Sequence, residues 1–266
     1  MDILVCVKQV PDTAEIKIDP VTNTLIRAGV PSIVNPFDKN ALEAAVQLKE
    51  AHGGSVTVIS MGPDQAKAAL KECLSVGADK AVLISDRLFG GSDTLATSYI
   101  LATAIKKLGK FDLVLCGKQA IDGDTGQVGP EIAEHLGIAQ LTFIAKIEVS
   151  GEKITVQREH DEGYEVIEAK LPVVCTVIKS INEPRYANIK SKMAANKAVI
   201  EVITAADLPE IDLTKIGLKG SPTKVKKTFT PPRKESGIRI QEGTGRESAL
   251  KFIEKLVVAK LLNRGC

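Results

Sequence analysis

The sequence has no tryptophan, and aromatic residues make up only 3% of its 266 residues. Proteins that bind single-stranded nucleic acid stack bases on aromatic side chains, so this composition argues against that class. The sequence also lacks a large excess of one charge, because its 35 Lys and Arg residues are nearly balanced by 33 Asp and Glu residues. A net charge of +2 gives no general attraction to nucleic acid or membranes. We therefore expect no nucleic-acid partner.

Clustered metal ligands are absent as well. The sequence has five cysteines and no C-x-x-C pair, which argues against a zinc or iron–sulfur site: Cys6, Cys73, Cys116, Cys175 and Cys266. The three histidines are isolated from one another: His52, His135 and His160. Most of these cysteines lie in apolar runs, where they are expected to be buried small hydrophobes. An odd, dispersed set fits a reducing, cytoplasmic location.

No long hydrophobic run is present. The apolar run at Met1–Lys8 is too short for a signal peptide or a membrane span, so we expect neither. Five apolar runs of strand length do occur, and their continuous hydrophobicity is typical of a parallel sheet covered on both faces. These runs are Ile3–Val7, Val56–Ser60, Ala81–Ile84, Leu113–Cys116 and Val173–Ile178.

Helix-period segments separate these runs at Lys39–Ala51, Pro63–Val76 and Thr94–Leu108. The alternation predicts an α/β fold with a doubly wound, mostly parallel sheet. Three alternating segments then follow, which predict an antiparallel meander at the sheet edge: Ile144–Val149, Lys153–Arg158 and Tyr164–Ala169.

The C-terminal part reads differently from the α/β region. Residues 204–235 are rich in Pro, Lys, Gly and Thr, which predicts an extended, solvated arm. A final helix at Arg246–Asn263 carries apolar residues at helical spacing, and this stripe needs a surface in this domain or in another chain. The predicted division is an α/β domain at 1–203, a linker arm at 204–235 and a C-terminal segment at 236–266.

A glycine-rich stretch at Gly117–Pro130 stands between a strand-like run and a helix-like run at Glu131–Leu136. Glycines let the backbone approach a ligand closely, and free N–H groups at a helix N-terminus suit a phosphate. The stretch matches neither a P-loop nor G-x-G-x-x-G, so a turn without a ligand remains the alternative.

Six motifs in this order resemble the β (small) subunit of electron transfer flavoprotein over residues 1–203. They are Val7-Lys8-Gln9-Val10-Pro11-Asp12, Asn35-Pro36-Phe37-Asp38, Ser60-Met61-Gly62-Pro63, Val76-Gly77-Ala78-Asp79, Gly117-Lys118-Gln119-Ala120-Ile121-Asp122 and Asn182-Glu183-Pro184-Arg185-Tyr186-Ala187. The resemblance implies a heterodimer with an α subunit, in which the C-terminal arm reaches the α subunit. In ordinary members the β subunit buries AMP and the α subunit carries FAD.

The resemblance also implies the nucleotide-binding positions. They are Cys6, Asn35, Pro36, Phe37, Asp38 and Met61, followed by Gly117, Lys118, Gln119, Ala120, Ile121, Asp122, Gly123, Asp124, Thr125, Gly126, Gln127 and Val128. Several of these positions also have a structural explanation that needs no ligand. Asn35-Pro36 is also typical of a turn, Asp38 of a helix N-cap and Met61 of a core residue.

One departure from ordinary members concerns the cofactor. The run Gly123–Pro130 replaces a bulkier acidic run, and a second glycine-rich loop at Ser85–Thr97 precedes a helix. This combination is similar to the electron-bifurcating branch, whose β subunit holds FAD instead of AMP. It implies that Asp93, Thr94 and Thr97 lie near the flavin. Capping by Ser92 or Asp93 remains the alternative.

The resemblance implies a function in a complex. The sequence shows no nucleophile–base pair, so the chain need not carry out acid–base chemistry itself. NADH would be the hydride donor, and ferredoxin or flavodoxin would take one electron. The α-subunit FAD would pass the other to an acyl-CoA or hydroxyacid dehydrogenase. Ile189 would anchor that dehydrogenase, although a buried helix-start residue is the alternative. An ordinary carrier with structural AMP and a non-redox nucleotide-binding module remain open.

Overall fold

The computed structural model describes residues 1–12, 31–226 and 237–262. The chain forms two compact units, Met1–Thr228 and Phe229–Cys266, which are described separately. Residues 227–236, which include the end of the predicted arm, and the predicted helix end at Asn263 lie outside the described residues.

The first unit is built on a nine-stranded sheet. Its strands are β1 Asp2–Cys6, β4 Ser55–Met61, β5 Lys80–Ile84, β6 Leu113–Gly117, β7 Ala139–Ser150, β8 Lys153–His160, β9 Gly163–Lys170, β10 Val173–Val177 and β11 Glu201–Ile203. They are arranged in the order β11-β5-β4-β1-β6-β10-β7-β8-β9. The strands from β11 to β7 are parallel, and β7, β8 and β9 form an antiparallel meander. The predicted α/β class with a mostly parallel sheet is therefore confirmed.

A separate two-stranded antiparallel ribbon pairs β2, Gln9–Pro11, with β3, Ser32–Val34. Its strands flank residues 13–30, which lie outside the described ranges, and β3 is followed by the first helix. The sequence did not predict this ribbon, because three-residue strands carry too few positions to show alternation.

Helices cover both faces of the large sheet. They are α1 Pro36–His52, α2 Lys67–Ser75, α3 Thr94–Leu108, α4 Val128–Leu136 and α5 Ile189–Lys197. Helices α1 and α2 contribute to the apolar core on one face, and α3 and α4 to the core on the other. Leu70, Ile100 and Ile132 are fully buried in these cores. Each such side chain stabilises the fold by about 1.5–3 kcal/mol relative to an exposed one.

The predicted meander is longer than its alternating pattern indicated. Strand β7 begins at Ala139, and its first residues pair in parallel with β10 before the strand pairs antiparallel with β8. The ladder is irregular near Phe143, whose backbone has a φ of +58°. One strand therefore belongs to both parts of the sheet.

The chain after β11 differs from the predicted linker. Residues 204–221 continue to pack within the first unit, where Leu208, Ile216 and Ser221 are buried. A short helical turn, α6, spans Gly217–Gly220. Isolated apolar residues among Pro, Lys and Gly show no period, so their burial could not be predicted from the sequence.

The second unit contains helix α7, Gly245–Val258. It starts with a capping box in which Thr244 and Glu247 exchange hydrogen bonds, and it ends several residues before the predicted Asn263. None of its residues is buried. Within the described ranges, no helix is long and apolar enough to cross a membrane.

Candidate functional site

The floor of the candidate site is formed where β1 and β6 end. Cys6 and Cys116 are register partners on these neighbouring parallel strands, and both are buried. A hydrogen bond with Cys116 and burial raise the pKa of Cys6 well above its ordinary value. The strand order reverses here, with β4 on one side of β1 and β6 on the other. Such switch points open a crevice at the carboxyl ends of the strands.

Asn35 fastens the glycine-rich loop to this floor. Its side chain is fully buried, donates to the carbonyl of Gln119 at 2.8 Å and accepts from the N–H of Ile121 at 3.2 Å. Asn35 also occupies the N-cap position of α1, where its side chain makes no capping bond. The interpretation of Asn35 as a turn residue is thus incomplete, because both the NH2 group and the oxygen of its side-chain amide bind the glycine-rich loop.

Asp38 lies in the first turn of α1 rather than at its N-cap, so the capping alternative is wrong. Its carboxylate accepts from the N–H of Lys8 at 2.7 Å and of Gly117 at 3.2 Å. It therefore ties the ends of β1 and β6 to the helix. Burial is the largest influence on its pKa and outweighs these hydrogen bonds, raising the pKa to about 7.

The raised pKa of Asp38 predicts a pH-dependent stability. Between the unfolded pKa of 3.8 and the folded value of about 7, the folded protein keeps a proton that the unfolded chain has lost. Stability therefore falls as pH rises through this window, by up to about 4 kcal/mol at 1.36 kcal/mol per pKa unit. Asp38→Asn is expected to flatten this part of the urea-unfolding profile. Asp64→Asn, at an exposed carboxylate, should keep the slope, and an unchanged slope in Asp38→Asn would contradict the assignment.

The loop Gly117–Val128 leaves the crevice floor and enters α4. Gly117 packs so closely that a side chain there would collide with Asp38 and Phe37. Farther along, Gly123 faces open space and Gly126 adopts a φ of +63°, which favours glycine. Lys8 pairs with Asp122 at 2.6 Å, and Gln119 donates to Asp124 at 2.8 Å.

Backbone donors at the end of this loop are unused. Within the described part of the chain, the N–H groups of residues 125–129 make no hydrogen bond to protein, and α4 has no side-chain cap. Free N–H groups combined with the helix dipole favour an anionic ligand such as a phosphate. The donor set and the missing side chains therefore fit the phosphate part of a nucleotide.

The second loop reaches the same crevice through Thr94. Its hydroxyl lies 3.2 Å from Oε1 of Gln127 and 3.2 Å from Oε1 of Glu131. Asp93 caps α3 by accepting from the N–H of Ala96 at 3.1 Å, so the capping interpretation is confirmed for this residue. Thr97 lies half-buried one turn farther along α3. The structure thus brings the two predicted loops together.

Two residues of this region were not anticipated. Glu131 carries a buried Oε2 without a hydrogen-bond partner among the described residues. Phe143 is 43% exposed, and the Lys118 ammonium lies 4.9 Å from its ring centroid. A phenylalanine in the left-handed region costs about 1–2 kcal/mol. Neither residue belongs to a sequence motif, and only the fold places them beside the loop.

The remaining predicted positions line the edges of the crevice. Phe37 is half-buried, with the Lys179 ammonium 5.0 Å from its ring centroid. Met61 ends β4 and packs on the apolar core, which agrees with the core interpretation. The groups of metal-ligating residues needed for a metal site are absent from the described residues.

Comparison with known proteins decides the family. An electron transfer flavoprotein domain model matches residues 22–208. The chain is 56% identical to the electron transfer flavoprotein subunit beta of Megasphaera elsdenii, with 98% of this chain and 100% of that protein covered.

The chain belongs to the electron transfer flavoprotein family, as a β subunit. Such subunits pair with an α subunit and serve in electron transfer. The chain is also 50% identical to CarD of the caffeyl-CoA reductase–Etf complex of Acetobacterium woodii, over 96% of this chain and 98% of that protein. Protein FixA of Azorhizobium caulinodans is 49% identical over 87% of this chain and 85% of that protein.

In this β subunit, Ile189 lies apart from the crevice. It starts α5, where Asn188 caps the helix by accepting from the N–H of Ser191 at 2.8 Å. Its side chain is 80% exposed, so the buried helix-start alternative is wrong. Tyr186 and Met193 are also exposed nearby in sequence. The segment therefore presents apolar side chains without a partner in the described chain.

The segment before Ile189 is fastened to α1. Arg185 binds Glu43 and Glu50 through its guanidinium, with distances of 2.6 to 3.1 Å. Burial raises the pKa of Glu43, but the hydrogen bonds from Arg185 outweigh it and the pKa is lowered. Asn40 and Asn182 hold each other through reciprocal amide bonds. The exposed Ile189 therefore follows a segment that is bonded to α1 at two points.

Proposed function

We propose that this subunit holds FAD in the crevice and serves electron bifurcation. NADH is the hydride donor, and ferredoxin or flavodoxin receives one electron. The α-subunit FAD receives the other and delivers it to a dehydrogenase of the acyl-CoA or hydroxyacid type. The relative that is named as part of a caffeyl-CoA reductase complex supports a partner that acts on acyl-CoA substrates.

The observation that carries the proposal is the bridge from Thr94 to Gln127 and Glu131. The positions expected for AMP end at the glycine-rich loop and do not include the start of α3. The bridge extends the site from the free N–H groups of residues 125–129 to the N-terminus of α3, and a dinucleotide uses such an extended site. The crevice therefore favours FAD over AMP.

The residues of the chain divide into three roles under this proposal. Gly126 and the N–H groups around it would bind the diphosphate, and Asn35 and Asp38 keep that loop in place. Cys6, Phe37 and Met61 would line the nucleotide, while Thr94 and Thr97 would face the flavin. A bound flavin supplies hydride acceptance and the release of single electrons. The protein supplies position and electrostatics.

The deciding experiment is a cofactor count on the purified heterodimer. Extraction followed by absorbance and chromatography distinguishes the alternatives. Two FAD per dimer supports the proposal. One FAD with one AMP indicates an ordinary carrier, and no flavin indicates a nucleotide-binding module without redox work. NADH-driven ferredoxin reduction that requires the dehydrogenase then separates bifurcation from simple NADH oxidation.

Ile189→Ala is expected to weaken electron delivery to the dehydrogenase by about tenfold or more, because a few buried anchors dominate most interfaces. Flavin content and bleaching by NADH should not change, since Ile189 lies outside the crevice. Partner-dependent turnover at varied dehydrogenase concentration measures the effect. Leu213→Ala, at another exposed aliphatic residue, is the matched control. Joint loss of bleaching and turnover would mean that Ile189 is structural, and unchanged turnover would place the anchor elsewhere.

A further inference from the structure

The chain after β11 returns to the loop that precedes α3. We call Ile216–Thr223 the strap. The N–H of Gly217 donates to Oγ of Ser92 at 3.0 Å, and the N–H of Asp93 donates to Oγ of Ser221 at 2.8 Å. The N–H of Thr223 donates to Oδ2 of Asp93 at 2.9 Å. Three hydrogen bonds thus join segments that lie 125 to 130 residues apart in sequence.

Each of the two serine hydroxyls at this contact donates one hydrogen bond and accepts another. Ser221 is 5% exposed, and its Oγ donates to the carbonyl of Gly217 at 2.7 Å while it accepts from Asp93. The Oγ of Ser92 donates to the carbonyl of Phe89 at 2.8 Å while it accepts from Gly217. Removing either oxygen would leave a shielded backbone donor unpaired, and such a loss is costly.

Two glycines let the backbones approach. Gly217 has a φ of +58°, and a side chain on it would collide with the carbonyl oxygen of Leu88. Gly91 has a φ of +75°, and a side chain on it would collide with Leu218. Both glycines therefore have a left-handed backbone, and at Gly217 the backbone of Leu88 also leaves no room for Cβ.

The residues held by the strap continue directly into the crevice. Asp93 accepts from the strap with Oδ2 and caps α3 with Oδ1. The next residue, Thr94, makes the bridge to Gln127 and Glu131. The segment Ser92–Thr94 is therefore bonded to the strap on one side and to the glycine-rich loop region on the other.

We propose that the strap positions the loop before α3 for nucleotide binding, with Ser221 as a positioning residue that acts through Asp93. By holding Ser92 and Asp93, it fixes the start of α3 and so places Thr94 and Thr97 at the crevice. This inference rests on the proposed function, because it takes the crevice to be the nucleotide site. The strap adds a distant part of the chain to the determinants of nucleotide affinity.

The test uses Ser221→Ala and Gly217→Ala in the purified heterodimer with its α subunit. Two quantities are measured: amide hydrogen exchange at residues 92–97 and the rate at which this subunit releases its nucleotide. Both are expected to rise about tenfold, the scale of one unpaired buried donor. Ser221→Ala removes only one oxygen atom. If Gly217→Ala fails to fold, Ser221→Ala alone tests whether the strap positions the loop.

Matched controls separate positioning from general destabilisation. Ser75→Ala removes a buried hydroxyl that donates to the carbonyl of Glu72 at 2.7 Å on α2. Gly151→Ala places a side chain at a φ of +59° where nothing lies within 4 Å. Both controls are expected to leave exchange at residues 92–97 and nucleotide release unchanged.

The outcomes distinguish the strap from the proposed function. Unchanged hydrogen exchange at residues 92–97 in Ser221→Ala overturns the positioning role of the strap. Faster exchange with unchanged nucleotide release also overturns it. A wild-type heterodimer with one FAD and one AMP contradicts the proposed FAD site, and release of AMP then decides the strap. A subunit that holds no nucleotide overturns both.

Discussion

Gly126→Glu is expected to remove the FAD of this subunit while the α subunit keeps its own flavin. Gly126 has a φ of +63° and stands among the free N–H groups of residues 125–129. A glutamate there would place a carboxylate against the diphosphate and would add about 1–2 kcal/mol of backbone strain. Extraction of flavin from the purified heterodimer measures the result as one FAD in place of two.

Two further variants separate the causes of that loss. Gly137→Glu introduces the same carboxylate at a φ of +68° after the other end of α4, where nothing lies within 4 Å, and it should retain both flavins. Gly126→Gln keeps the size and the strain but removes the charge, so it should lose less FAD than Gly126→Glu. Full occupancy of both flavins in Gly126→Glu would refute the phosphate assignment.

Ending the chain after Thr230 is expected to weaken pairing with the α subunit strongly and to leave residues 1–203 folded. Leu250, Phe252 and Ile253 of α7 are 54%, 53% and 48% exposed, and the helix has no buried residue. Helices of about 12–15 residues are marginal in water without packing, so we propose that the α subunit covers this stripe. Sedimentation or titration of the purified subunits measures the affinity.

A single substitution tests the same stripe in the full chain. Ile253→Glu should weaken pairing, because it places a charge on the apolar side of α7. Val258→Glu introduces the same group at the end of α7, about 140° around the helix from Ile253. Val258 is 84% exposed, and this variant should pair normally. Equal affinity of the truncated and full-length chains for the α subunit would end this assignment.

The parts of the fold that the sequence predicted share a local cause. Strands such as Leu113–Gly117 are continuous apolar runs because both of their faces are covered, and α3 was predicted with its exact bounds at Thr94 and Leu108. Its start has Asp93 as a cap, and its end meets Gly109. Signals of this kind lie within a few residues of the element they define, so sequence alone reveals them.

The parts that were missed depend on distant residues. Glu131 meets Thr94 across 37 positions, and Ser221 meets Asp93 across 128. Neither pair leaves a periodic trace, since a single polar residue near a glycine is typical of any loop. The strap looked like a linker for the same reason. The crevice floor was predictable from where strands end, whereas the contacts between its loops were not.

The placement of β10 makes the continuity of the sheet depend on a segment late in the sequence. This strand lies between β6 and β7, although β7 precedes it in sequence. Until residue 177 has been synthesised, β6 and the β7 meander have no shared neighbour, and the sheet consists of two separate pieces. The N–H of Lys118, at the start of the glycine-rich loop, donates to the carbonyl of Val177 at 2.8 Å. Because β6 and β10 are distant in sequence, their pairing is a non-local step, and the bond from Lys118 to Val177 can form only with it.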